Sequence, residues 1–167
     1  MSTPLTLAGS AISLAVLYAN VRSWKKASWD PKAIGPFASY FALGALSTVC
    51  TGGLLGALAG CTVQASNGVG SRAVPGATGT PSATIAAGSM GQLSPEGGLV
   101  VFLLAVALVL AWKAASKIEK KRMAGGGFCG ATLCATAGVA GLLNGLPDIA
   151  NGIGTAAAAA LGGQGIL

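Results

Sequence analysis

The chain has 167 residues, with ten Lys and Arg, four Asp and Glu, no His and a formal net charge of +6. Apolar types make up 53% and charged types only 8%, where a soluble domain carries about 25% charge. A chain of this composition cannot cover its surface with polar groups, which argues against a soluble monomer. With no imidazole, and with Asp30, Glu96, Glu119 and Asp148 too far apart in sequence to pair, hydrolytic and redox chemistry lack their usual groups. No catalytic, cofactor-binding or metal site and no small-molecule substrate is expected. The sequence speaks to location more than to chemistry.

Four apolar stretches occupy residues 5–21, 37–60, 97–115 and 127–146. As helices they would reach roughly 26, 36, 28 and 30 Å at 1.5 Å per residue, against a hydrocarbon core of about 30 Å. Each is too long and continuous for a barrel strand, and a lipid-exposed backbone must satisfy its own hydrogen bonds, which favours helices. The expected fold is all-α: a polytopic membrane protein of about four spans, arranged as two transmembrane hairpins in the same orientation. The first stretch is the shortest, and the third carries Lys113 at the end where its ammonium can snorkel outward.

The charges supply an independent test. Arg22, Lys25, Lys26 and Lys32 lie between stretches one and two, and Lys113, Lys117, Lys120, Lys121 and Arg122 follow stretch three. Basic short loops stay cytoplasmic, so the loops 22–36 and 116–126 are expected inside. The N-terminus, residues 61–96 and the C-terminus are then extracytoplasmic, in a bacterial cytoplasmic membrane. Trp24, Trp29 and Trp112 fall beside these basic clusters and read as interfacial anchors. The domain reading is thus a first hairpin over residues 1–60, a second over 97–147, and a Gly, Ser and Pro-rich exposed linker over 61–96. A small-residue tail follows over 148–167. Hydropathy and charge repeat between the hairpins, while residue identity does not.

Gly44, Thr48, Gly52, Gly56 and Gly60 recur every four residues and would line one face of a helix through stretch two. Small residues at that spacing let helices approach closely in lipid. Gly130, Cys134 and Gly138 form a similar row in stretch four. Together they predict a tight bundle, and a homo-oligomer or association with other membrane subunits. No ionisable residue lies mid-stretch, which argues against a coupled transporter. Cys50, Cys129 and Cys134 read as small packing residues. The basic clusters suit lipid headgroups, and no phosphate-cradling motif or specific nucleic-acid site is present.

Three resemblances attach to these features. Leu58-Ala59-Gly60-Cys61 resembles the bacterial lipoprotein processing motif, which implies cleavage before Cys61 and lipidation of its thiol. Residues 97–146, with Lys117, Lys120, Lys121 and Arg122 between two apolar segments, resemble conjugative pilin subunits in topology, which implies a filament or a transfer system. In its size, multiple spans and basic clusters the chain is similar to phage holins, which implies a pore-forming or lysis activity. The leading expectation is a non-enzymatic structural subunit of an oligomeric membrane-embedded or envelope-spanning assembly.

Overall fold

A computed structural model describes residues 4–162. The first three and last five residues, and with them the expected outward position of both termini and the end of the 148–167 tail, lie outside the described residues. The chain is all-helical, and the described residues contain no strands. The helices are α1 (Leu7–Lys26), α2 (Pro31–Val49), α3 (Gly53–Thr78), α4 (Pro95–Ala114), α5 (Lys117–Leu133), α6 (Ala137–Leu142) and α7 (Gly145–Leu161).

Local chemistry sets most of these boundaries. The Thr6, Asp30, Ser94 and Ser116 side chains each accept a first-turn N–H of the helix that follows, which satisfies donors no helix can satisfy itself. Pro31 and Pro95 occupy the first helical position, where their missing N–H costs nothing. Ser28 and Trp29, both at positive φ, make the tight turn from α1 into α2. Lys25 and Lys26 end α1 and Lys113 ends α4, where a cation suits the helix dipole.

Stretch two is not one straight helix. It breaks at residues 50–52, and α3 leaves α2 at 102°. Gly53 has φ +70°, and a Cβ on Gly56 would strike the Cys50 carbonyl, so the elbow needs glycine at both positions. The row expected from Gly44 to Gly60 is therefore split between two helices and cannot form one face. Stretch four is broken too: α5 ends at Leu133, Thr136 caps the short α6, and α7 starts at Gly145 with Pro147 in its first turn. The expected loop 116–126 is the first half of α5, closed by a Ser116–Glu119 capping box.

Residues 61–96 also differ from the expected exposed linker. Residues up to Thr78 continue α3, whose Ala59, Val63, Ser66 and Gly70 are buried along one face. Low hydrophobicity does not prevent this, because small residues bring the α3 backbone close to α1. The remaining segment forms an ordered strap. Leu7 and Ile85 donate backbone N–H groups to Ala83 and Leu5 at one site, and Gly88 and Ala137 to Ala135 and Ala86 at another. Met90 is buried against Ala45, Val49, Cys134 and Ala140.

The helices do not pack as two self-contained hairpins. α1 lies on α5 and α3, α4 lies on α7 and α2, and the principal seam joins α2 to α5. Phe37 meets Gly126 and Phe41 meets Gly130, so α2 and α5 run parallel. Ser13 meets Thr132 while Ser23 meets Arg122, so α1 runs antiparallel to α5. Leu46 packs near Val101 and Tyr40 reaches Leu108, so α4 runs antiparallel to α2. In consequence the C-termini of α1 and α4 and the N-termini of α2 and α5 share one end of the bundle.

α4 is long and apolar enough to cross a membrane by itself, and α2 with α3 passes only if the bent pair counts as one broken span. The four apolar spans expected from composition thus reduce to one or two candidate spans among the described residues. On α4 only Gly97, Val101 and Leu108 are buried, while Leu99, Phe102, Leu103, Val106, Val109 and Leu110 are exposed.

Candidate helix-packing site

The closest backbone approach joins α2 to α5. A Cβ added to Gly126 would meet the Phe37 carbonyl, one on Gly130 the Phe41 carbonyl, and one on Gly44 the Gly127 carbonyl. Cys129 and Leu133 are buried with Ala33, Phe37 and Trp24 beside this seam. Here van der Waals contact between backbones stands in for large side chains.

Two asparagines clasp the starts of α1 and α4 in the same way. Asn67 of α3 accepts the Thr6 backbone N–H at 2.8 Å through Oδ1 and donates Nδ2 to the Pro4 carbonyl at 2.9 Å. Asn151 of α7 accepts the Ser94 N–H at 2.8 Å and donates to the Gln92 carbonyl at 3.1 Å. Three residues further along each helix, Gly70 fits against Ala8 and Gly154 against Glu96, where any Cβ would clash with backbone. Thr6 and Ser94 are themselves the N-caps, and Gly9 and Gly97 lie three residues after them. Each clasp therefore orders a helix start from outside while the cap orders it from inside.

The clasps reveal a short repeat in residue type that hydropathy conceals. Asn67-Gly68-Val69-Gly70-Ser71 and Asn151-Gly152-Ile153-Gly154-Thr155 match position by position, and at the same interval the buried Val63 and Ser66 correspond to Pro147 and Ala150. Thus α1, α2 and α3 correspond to α4, α5 and α7. The likeness, three identical residues and two conservative pairs, falls outside the two hairpins, in segments expected as linker and tail.

Hydroxyls fill the junction of α1, α3 and α5. The Ser13 and Thr132 hydroxyls are 2.7 Å apart, both fully buried, and Ser66 donates to the Gly9 carbonyl at 2.8 Å. Buried hydroxyls with partners carry little penalty and fix helix register.

The residues expected to pack divide. Gly44 and Gly130 line the α2–α5 seam, and Cys134 is buried at the end of α5. Thr48 is half-buried, its hydroxyl donating to the Ala45 carbonyl at 2.7 Å. Gly56 serves the elbow, while Gly52, Gly60 and Gly138 face open space. Gly126, Asn67, Gly70, Asn151 and Gly154 were missed. For the two asparagines and Gly70 and Gly154 the signal was the repeated Asn-Gly-aliphatic-Gly-hydroxyl sequence, whereas Gly126 extends the four-residue row of Gly130 and Cys134 by one step.

Arg22, Lys25, Lys26, Lys32, Lys113, Lys117, Lys120, Lys121 and Arg122 all fall toward the one end defined above, with Asp30 and Glu119 as the acidic residues there. Arg122 donates to the Ser23 hydroxyl at 3.4 Å, joining the two basic segments. Glu119 accepts the Ser116 backbone N–H at 2.8 Å. Its carboxyl is held below the usual glutamate range by the Ser116 side-chain and backbone hydrogen bonds and then by the Arg122 charge. Arg72, Glu96 and Asp148 belong to the opposite end.

The tryptophans separate likewise. Trp112 and Trp29 are 36% and 54% exposed, and Trp112 lies 5.9 Å from Tyr40 between ring centroids. Trp24 is 8% exposed, set edge-on to Phe37 at 5.0 Å, with its indole N–H unpartnered. Its reading as an interfacial anchor is corrected: the turn at Ser28 and Trp29 folds α2 back over it. Cys61 is exposed on α3, and Cys50 is half-buried. Among the described residues no cluster of His, Cys, Asp or Glu has the geometry to hold a metal ion.

No protein family, curated protein or solved structure matches the chain.

Proposed function

We propose that this chain is a non-enzymatic structural subunit of an oligomeric membrane-embedded assembly, working through helix packing and anchorage. The observation that carries the reading is α4, twenty residues or about 30 Å of helix whose large apolar side chains face outward around most of its circumference. In water such a surface would drive aggregation; in lipid it is ordinary.

In the finer form of the proposal α1, α2, α4 and the broken apolar segment 127–146 each cross the bilayer of a bacterial cytoplasmic membrane. Their basic end is cytoplasmic, α3 and α7 lie toward the outer end, and both termini are outside. Nine of ten basic residues at one end support this orientation. The small-residue contacts support helix association without a hydrophobic drive. Partners are then membrane lipids and other membrane subunits, a second copy of the chain included.

Labelling of intact cells tests the orientation. A membrane-impermeant maleimide should modify native Cys61 from outside, while Lys25→Cys in a Cys61→Ser chain should react only after permeabilisation. Reaction of that double variant in sealed cells would overturn the orientation. Purification in mild detergent should yield a defined multi-subunit complex. Rapid loss of membrane potential on expression, with no stable complex, would instead favour the holin-like reading.

A further inference from the structure

We propose that a groove beside α4 seats one acyl chain of an anionic phospholipid whose phosphate rests at Lys113; this partner assignment rests on the membrane-embedded reading above. The groove holds about 460 Å³ and runs between Leu54 and Leu55 at the α2–α3 elbow and Phe102, Val106, Val109 and Leu110 on α4. Its walls are hydrocarbon apart from the Cys50 thiol, which is directed to the Leu46 carbonyl at 3.5 Å. Nothing there recognises a polar solute.

Dimensions select the occupant. From Phe102 to Leu110 the groove follows roughly 12 Å of helix, close to the roughly 15 Å of hydrocarbon in one leaflet. Its volume of about 460 Å³ over that length leaves room for a hydrocarbon chain lying along α4. An acyl chain matches both that length and the apolar lining.

Charge selects the headgroup. Residues 102, 106, 109 or 110, and 113 recur at helical spacing, so Lys113 ends the same face that walls the groove. It is exposed, at the end of the bundle where nine basic residues meet two acidic ones. Trp112, beside it, suits the headgroup level. A phospholipid lying along α4 with its phosphate at Lys113 satisfies groove and cation together.

The full chain, purified from membranes and placed in nanodiscs, should retain phosphatidylglycerol about fivefold more tightly than phosphatidylcholine of the same chains, as counted by native mass spectrometry. Lys113→Gln, an exposed change, should abolish the preference while leaving a bound lipid. Ala105→Trp, which fills the groove, should remove the lipid altogether. Equal retention of the two lipids by the unaltered chain, or wild-type retention by Ala105→Trp, overturns the proposal. Carbonate extraction separates the two readings. A chain that stays with the membrane but shows no lipid preference sinks only the lipid site, and a chain released into the supernatant sinks both.

Discussion

The two halves share a plan and differ in how closely their outer helix docks. In one half α1 lies on α5 through Ser13 and Thr132, and further along Gly125 admits Val16 and Asn20. In the other, α4 meets α2 through Val101 and Leu46, and further along the Tyr40 ring stands between the helices, its hydroxyl donating to the Leu108 carbonyl. Glycine on one central helix and tyrosine on the other occupy comparable places. Side-chain volume at that level determines whether the outer helix closes or stands off. The closed half supplies the rigid frame, while the open half leaves α4 to the surroundings, with a groove on its flank.

That contrast can be broken first at the shared seam. Gly126→Leu or Gly130→Leu inserts a side chain against the Phe37 or Phe41 carbonyl and should cost about 3 kcal/mol or more, beyond ordinary overpacking, because backbone cannot step aside. Gly60→Leu, which meets open space, should be close to neutral. Unfolding titrations in mixed micelles measure both. Equal loss in the two classes would remove the seam as the organising contact.

The clasps should separate the halves. Asn67→Ala strips three hydrogen bonds and Asn151→Ala two from a helix start, about 1–3 kcal/mol for each variant. Amide exchange should rise at residues 92–98 after Asn151→Ala and leave residues 4–10 unchanged. Exchange rising in both places would show that the halves open as one unit.

The smallest effect concerns the box that starts α5. Glu119 is held below the ordinary glutamate range in the folded chain, so its contribution is present above that range and is lost as pH falls through the depressed folded value. Glu119→Gln should flatten the acid side of a stability profile slightly and leave the neutral side almost unchanged. An alkaline shift instead would show that another group governs this helix start.

Some of this architecture was readable from residue order. The basic segments around Lys25 and Lys120 indicated a common end, and the third apolar stretch, 97–115, stays a single helix, the one among the described residues long and apolar enough to cross a membrane by itself. Hydropathy could not show the elbow at residues 50–52, because the glycines that bend the chain also resemble packing glycines. It could not show α3 beyond Gly60, where Ala, Ser and Gly bury little area yet permit backbone contact. Trp24 illustrates the same limit: proximity to lysine in sequence indicates a headgroup neighbourhood, but the positive-φ turn after it determines which side chains cover the ring.

The crossing of the halves bears on biosynthesis. Ser13 waits 119 residues for Thr132, and the principal neighbours of α2 include a helix that has not left the ribosome when α2 emerges. The nascent amino-terminal half must therefore be tolerated, or shielded, without its main partner. Chains arrested before α5 should be degraded rather than accumulate as stable fragments.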